Sequence, residues 1–372
     1  MVIKNGLVYT DDYQFENKEV YIEDGVFAEC SRGEVIDAKD CYVIPGLIDI
    51  HLHGAAGFDF CDGTQEAITK IAEYELSNGI TAICPASMTF PEDKLAAIFK
   101  AAKEYKGTTG ADVVGINMEG PFISHEKKAA QNGEFIHRPD AEMFYRLQEA
   151  AGGLIKLVDI APEVDGAIEC IRAISGDVRV SLAHTAASYE EAMAGFEAGA
   201  RHVTHLHNGM IDFSHREPRV FGAVFDRKDA MAELIGDGVH STGTTVRMTF
   251  QLLGDDRIII ISDSMMATGL PDGQYSLGGQ DVTVKNSVAT LTELGNIAGS
   301  VMNLMNCMRN VVQKMDIPLE SAVRCVTINP ARAIGIDKDY GSISVGKKAN
   351  AVILDKNLEI RGIIKDGVII DG

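Results

Sequence analysis

Apolar positions fall into two patterns along the chain. Between about residues 43 and 262, short apolar runs alternate with longer amphipathic stretches. The runs lie at about 43–50, 79–86, 112–118, 155–161, 179–183, 202–206, 231–236 and 257–262. Near-continuous apolar runs of this length read as strands buried on both faces. Helical stretches follow at about 64–78, 91–106, 138–151, 165–175, 188–198, 218–228, 241–253 and 300–316. Thr64 and Ser188 suit helix N-caps, and Pro91 suits a first turn. Eight βα units in series predict an α/β protein built on a (β/α)8 TIM-like barrel. A doubly wound open sheet is the structural alternative, but no G-x-G-x-x-G follows the first strand.

The ends of the chain carry a different pattern. Ile3-Lys4-Asn5-Gly6-Leu7-Val8, Ile22-Glu23-Asp24-Gly25-Val26 and Ile364-Lys365-Asp366-Gly367-Val368 each place Asn-Gly or Asp-Gly between β-formers. Such dipeptides mark two-residue hairpin turns. With Ala351–Leu354 as a further strand, they predict a small β-sandwich domain built from both termini, residues 1–43 and 343–372. The barrel domain takes residues 44–342. An insertion at about 272–294 reads as a β-hairpin after strand 8.

Composition narrows the partners. The formal net charge is −20, which disfavours nucleic acid and anionic membranes. It leaves room for an anionic small substrate, because screening acts over roughly 8 Å and a local arginine can outweigh distant carboxylates. No apolar stretch approaches the roughly 20 residues of a membrane span. The first residues lack a signal-peptide pattern, so a cytoplasmic location is expected. The 7 cysteines are scattered, with no C-x-x-C pair, which argues against a disulfide framework and a thiolate metal site.

The candidate chemistry lies at the strand ends, where barrels of this kind carry their active sites. Strand 1 closes on His51 and His53. Residues two apart on a strand point the same way, so the two imidazoles converge as a divalent metal requires. A His-X-His pair alone is weak evidence. Strand 3, however, ends in Glu119, strand 5 in His184, strand 6 in His205, strand 7 in His240 and strand 8 in Asp263. Six of eight strands thus deliver a metal-capable or acid/base residue to one rim, which predicts a metal centre. A His/Glu/Asp set without Cys suits Zn²⁺, Fe²⁺, Mn²⁺ or Co²⁺. Asp263 is the candidate general base, with plain metal ligation as its alternative.

The chain resembles the N-acetylglucosamine-6-phosphate deacetylase family of the amidohydrolase superfamily. The resemblance rests on Pro45-Gly46-Leu47-Ile48-Asp49-Ile50-His51-Leu52-His53-Gly54, Glu119-Gly120-Pro121-Phe122, Leu182-Ala183-His184-Thr185, Thr204-His205-Leu206-His207-Asn208-Gly209-Met210, His215-Arg216-Glu217-Pro218, Asp237-Gly238-Val239-His240, Ser262-Asp263-Ser264-Met265 and Ile297-Ala298-Gly299-Ser300. It implies hydrolysis of the acetamide of a phosphorylated amino sugar. Glu119, His184 and His205 would hold one metal, Zn²⁺ or Fe²⁺ first, with Mn²⁺ or Co²⁺ as alternatives. His51 and His53, with Glu119 and Asp263, would complete a second site, giving one or two metals per subunit. Asp263 resembles the general base and acid, and His240 a substrate-binding histidine. Ala130, Gln131, Asn208, Gly209, Ile297, Ala298 and Gly299 match positions that meet the substrate. Arg216 matches an arginine reaching the phosphate in the neighbouring subunit's site, which implies a homodimer.

The chain departs from that family pattern in places. Gln131 stands where many members have histidine; it can donate to a sugar hydroxyl or carbonyl but cannot carry a proton charge. His207 and Gly209 replace an aromatic residue and an alanine, and His207 reads as structural. Arg219 stands where a glycine is common and offers a second cation for phosphate. His125, His137, His202 and His215 read as ordinary polar residues. Lys156 lies at the start of strand 4, the wrong rim for a carbamylated bridging lysine, so bridging falls to Glu119. The same-class rival is an N-acetylgalactosamine-6-phosphate deacetylase; the remote rival is a non-catalytic scaffold.

Overall fold

A computed structural model describes residues 1–370. The eight predicted runs form parallel strands: β1 (Leu47–Asp49), β2 (Ile80–Ile83), β3 (Ile116–Met118), β4 (Ile155–Ile160), β5 (Arg179–Leu182), β6 (His202–Val203), β7 (Met231–Ile235) and β8 (Ile258–Ile261). β3 to β8 pair in sequence order as one sheet. β1 and β2 pair in a second, extended by Asp112–Val113. A backbone bridge between Ala86 and Asn117 joins the sheets after β2. The amide of Asp263 donates to the His51 carbonyl at 2.9 Å, tying the end of β8 to the end of β1. The architecture is α/β and TIM-like.

β6 is shorter than the predicted 202–206. His205 and His207 adopt φ of 28° and 81°, outside the strand region, so the chain turns where the apolar pattern would have carried it on. The helices follow their capping signals. Thr64 accepts from the Ala67 amide ahead of Gln65–Ser77, and Ser188 forms a capping box with Glu191 ahead of Tyr189–Ala198. Pro91 sits one place earlier than expected, at the cap of Glu92–Glu104. Two helices that the periodicity did not assign, Leu319–Val326 and Ile328–Ala333, follow Leu304–Met315 directly. Ala331, Ala333 and Ile334 pack into one cluster with Ile48, Ile50, Leu157, Ile235, Ile259 and Ile261 of the strands.

The terminal segments form two sheets, one of four strands and one of six, the latter pairing Ala351–Leu354 with Tyr42–Pro45. Ile3, Val20, Ile22 and Phe27 of the first pack with Val8, Val43, Ile353 and Ile364 of the second. Asp24-Gly25 and Asp366-Gly367 make the predicted hairpins, with positive φ at both residues of each pair. Asn5-Gly6 does not. Val2–Lys4 belongs to the four-stranded sheet and Leu7–Tyr9 to the six-stranded one, so the dipeptide carries the chain between sheets. The crossing is tight: a Cβ on Gly6 would stand 2.8 Å from Val43 Cγ2. Asp112 ties the terminal sheets to the strands around β2, bonding Lys365 at 2.8 Å and Lys348 at 2.9 Å.

The 272–294 insertion is a three-stranded antiparallel sheet, Gly273–Leu277, Gln280–Lys285 and Val288–Leu291, rather than a single hairpin. Gln280 donates to the Ala130 carbonyl, and Leu277 reaches the cleft at the strand ends. No helix among the described residues is long and apolar enough to cross a membrane.

Candidate metal centre

The strand ends bring the six predicted ligands together. His51, Glu119 and His205 form one group whose ligand atoms lie within 4.8 Å of one another, and His51, His53 and Asp263 form another. Glu119 Oε1 stands 3.0 Å from His184 Nε2 and 3.2 Å from His205 Nε2. Asp263 Oδ1 is 3.2 Å from His53 Nε2 and 3.6 Å from His51 Nε2. All six residues are buried. His184, His205 and Asp263 take φ of 43°, 28° and 49°. Side-chain-bearing residues rarely adopt such values, and they concentrate where a site holds them in place. Gly209 closes over two of them: a Cβ there would stand 2.9 Å from His184 Nδ1.

Hydrogen bonds behind the rings decide what the rings present. His184 Nδ1 lies 2.9 Å from the Lys127 carbonyl, and His205 Nδ1 lies 3.0 Å from the Asn208 carbonyl. Carbonyls only accept, so both Nδ1 atoms carry hydrogen and both Nε2 atoms of the neutral rings are bare. These two lone pairs, 3.2 Å apart, face the Glu119 carboxylate. His51 Nε2 is fully buried, with no hydrogen-bond partner among the described residues. The bare Nε2 atoms converge on Glu119 Oε1 with no donor between them, which calls for a cation, and this ligand set fits a divalent metal.

Electrostatics agree. Burial works against charge on His51, yet the facing Glu233 and Glu119 carboxylates outweigh it and hold its pKa well above the ordinary value. Burial likewise opposes charge on His53 and His184. Asp263 with Glu119 raises the first, and Glu119 raises the second. Burial would raise the Glu119 carboxyl, but His51, His184 and His205 hold it well below its usual range. The pocket favours positive charge at its centre.

A cleft of about 200 Å³ opens over this cluster. Ala130, Gln131, Asn208 and Gly209 line it, as do His240, Ile297 and Gly299. Ala298, between Ile297 and Gly299 in sequence, is buried and does not line the cleft, and His51 is sealed from solvent. His240 Nδ1 lies 2.8 Å from Asp237 Oδ2, and Asp237 Oδ1 accepts the amides of Val239 and His240. Burial lowers the His240 pKa, but Asp237 outweighs it and raises it overall. Arg216 stands apart, exposed beside Tyr189 and Glu190.

Some expectations change. Gln131 donates to Glu119 Oε2 at 2.7 Å and accepts the Thr89 amide at 2.6 Å, so its amide is committed to the centre's carboxylate rather than free for a sugar. Arg219 is paired with Glu217 and is not a free cation. His207 bonds Thr249 and packs on Phe221, away from the ligands; burial lowers its pKa to about 4, as befits a structural ring. His202 is not an ordinary polar residue: it is fully buried against Glu233. Sequence reasoning gives no role to Glu233, which faces His51 and His202, to Asp237, which holds His240, or to Asp159, which is buried and accepts from Thr204 at 2.8 Å. The signal for Glu233 and Asp159 was a lone acid inside an apolar strand run.

Residues 42–372 match the family model described as the amidohydrolase family. N-acetylglucosamine-6-phosphate deacetylase of Bacillus subtilis (strain 168) is 33% identical over 97% of this chain and 94% of its own. N-acetylgalactosamine-6-phosphate deacetylase of Escherichia coli O157:H7 is 32% identical over 97% of each. A solved structure of N-acetyl-D-glucosamine-6-phosphate deacetylase from Mycobacterium smegmatis, a mutant in complex with N-acetyl-D-glucosamine-6-phosphate, aligns with a TM-score of 0.94 at 28% identity, covering 99% of this chain and 98% of that one. The chain belongs to the amidohydrolase family.

Proposed function

We propose that the chain hydrolyses the acetamide of N-acetyl-D-glucosamine 6-phosphate to D-glucosamine 6-phosphate and acetate. The observation that carries this is the convergence of His51, His53, Glu119, His184, His205 and Asp263 under a cleft, in a chain whose relatives bear that name over nearly their whole length. Glu119, His184 and His205 would hold one divalent metal; His51, His53, Glu119 and Asp263 would hold a second. Zn²⁺ or Fe²⁺ are the first choices for such ligands. When bound, the metal lowers the pKa of water from 15.7 towards ~7 and polarises the amide carbonyl.

The chain's own residues do the rest. Asp263 has its carboxyl held below the ordinary range: burial pushes it up, but His53, His51 and His205 outweigh that. It is therefore a carboxylate ready to accept. It takes the proton of the attacking water and returns it to the amine nitrogen as the C–N bond breaks. Asp237 favours the charged form of His240, and in that form its Nε2–H would face the oxygen on which negative charge develops. Asn208 and Gly209 line the cleft, and we read them as meeting the phosphate end of the substrate. Arg216 stands outside this cleft, and we read it as serving the neighbouring subunit of a homodimer. The two parallel sheets are read as one closed (β/α)8 barrel, residues 44–342, carrying a β-sandwich of residues 1–43 and 343–372.

The experiment is acetate release from N-acetylglucosamine 6-phosphate by wild type and Asp263→Asn. The variant is expected to lose ~10²–10⁴-fold in rate. Near-normal release would overturn the role of Asp263, and no release by the metal-loaded wild type would overturn the reaction. A second reading, N-acetylgalactosamine 6-phosphate as substrate, is favoured by the 32% identical relative that bears that name. Faster release from that sugar in a parallel assay would establish it.

A further inference from the structure

Glu233 has no part in the reaction set out above. It lies inside β7, wholly buried, and both of its oxygens are engaged. Oε2 is 3.0 Å from His51 Nδ1 and 3.2 Å from the backbone amide of His205. Oε1 is 3.0 Å from His202 Nε2. Three nitrogens converge on one carboxylate, and an ionised carboxylate can only accept. In the neutral ring that a metal requires, the hydrogen of His51 therefore belongs on Nδ1, and its Nε2 presents a lone pair. That lone pair stands 3.5 Å from Glu119 Oε1 and 3.6 Å from Asp263 Oδ1, with no hydrogen-bond partner among the described residues.

We propose that Glu233, backed by His202, is a positioning residue that fixes the Nδ1–H form of His51 and so builds the second metal position of the centre. The inference rests on the reading that the cluster holds divalent metal. The geometry separates the two positions. His184 and His205 have their Nδ1 hydrogens fixed by the Lys127 and Asn208 carbonyls, which no side-chain substitution removes. His51 Nδ1 has only side-chain neighbours, Glu233 Oε2 at 3.0 Å and Asn117 Nδ2 at 3.4 Å, and of these the carboxylate alone can accept its hydrogen. His202 fills the remaining carboxylate oxygen with a donor, so that Glu233 need not turn away from His51. An outer carboxylate that orients a metal-binding imidazole in this way typically contributes ~10–100-fold to metal affinity.

The test is metal binding by wild type and Glu233→Gln, titrated with Zn²⁺ against a chelator, with circular dichroism to confirm that each is folded. A glutamine facing three donors turns its own NH₂ towards one of them. Where that one is His51, the ring's hydrogen moves to Nε2. Wild type is expected to bind two equivalents. Glu233→Gln is expected to keep one at wild-type affinity and to bind the other ~10–100-fold more weakly. Wild-type affinity for both metals in a variant whose His51 hydrogen has moved to Nε2, read by ¹⁵N-histidine NMR of the metal-free protein, would overturn the inference, as would a wild type that binds only one. No zinc on wild type would instead overturn the metal reading itself. Should the variant not fold, ¹⁵N-histidine NMR of zinc-loaded wild type decides, with His51 assigned by its absence in His51→Asn. Hydrogen on Nδ1 supports the inference, and hydrogen on Nε2 contradicts it.

Discussion

His184 and His205 are aimed by the main chain, through carbonyls of Lys127 and Asn208. His51 is aimed by a side chain, Glu233, and His53 Nδ1 has no hydrogen-bond partner among the described residues. The same imidazole chemistry is thus held in two ways within a few ångströms. Main-chain partners persist through substitution; a side-chain partner can be lost in one step. On the proposed reading, the half built by Glu119, His184 and His205 is the durable part of the centre. The half built around His51 and His53 is the replaceable part.

The comparison can be broken at several strengths. Glu119 reaches both halves, standing 3.0 Å from His184 Nε2 and 3.4 Å from His53 Nε2. Glu119→Gln should therefore empty both and cost several kcal/mol of transition-state stabilisation, ~10³-fold or more in acetate release, measured beside metal content. A variant that keeps both metals would show that Glu119 bridges nothing.

Next in size is His240, which belongs to neither half. Losing a charge-assisted hydrogen bond costs roughly 1.5–3 kcal/mol, so His240→Asn should lower kcat/KM by about 10–100-fold with metal content unchanged. Loss of metal in that variant would move His240 into the centre.

The smallest effect is expected far away. Asp112 sits among Lys365, Lys348 and the Tyr340 hydroxyl, and Asp112→Asn should cost on the order of 1–3 kcal/mol in urea denaturation without changing metal binding. Burial raises the Asp112 carboxyl, but Lys365 leads the partners that bring it below its ordinary 3.8. The folded state then binds fewer protons than the unfolded chain. The stabilisation is present in full above pH ~4 and is lost as pH falls below 3.8 through the folded value. A wild-type advantage that persisted unchanged at pH 2 would contradict this sign.

The rim of the site was legible because its signals are local. An apolar run that ends in His, Glu or Asp marks a strand end, and six such ends meet around one cleft, through His53, Glu119, His184, His205, His240 and Asp263. Thr64 and Ser188 announced their helices for the same reason: a cap is a contact between residues three apart. What lay beyond the sequence depends on distant partners. Asn5-Gly6 has the composition of Asp24-Gly25, yet its flanking strands pair with Val35–Asp37 and Tyr42–Pro45 rather than with each other. Gln131 stands at a position that the resemblance gives to the substrate; only the fold brings Glu119 and Thr89 to it, from 12 and 42 residues away. Glu233 is one acid in the apolar run Met231-Ala232-Glu233-Leu234-Ile235, and the partners that its buried charge demands, His51 and His202, come to it only through the fold.

The central claim is that the main-chain-held half sustains the centre without the other. Its most direct test is zinc content and acetate release of the doubly substituted His51→Asn, His53→Asn protein, checked for folding. The account predicts one zinc equivalent per chain and continued acetate release. A folded double variant with no zinc, or with zinc and no acetate release, would contradict it.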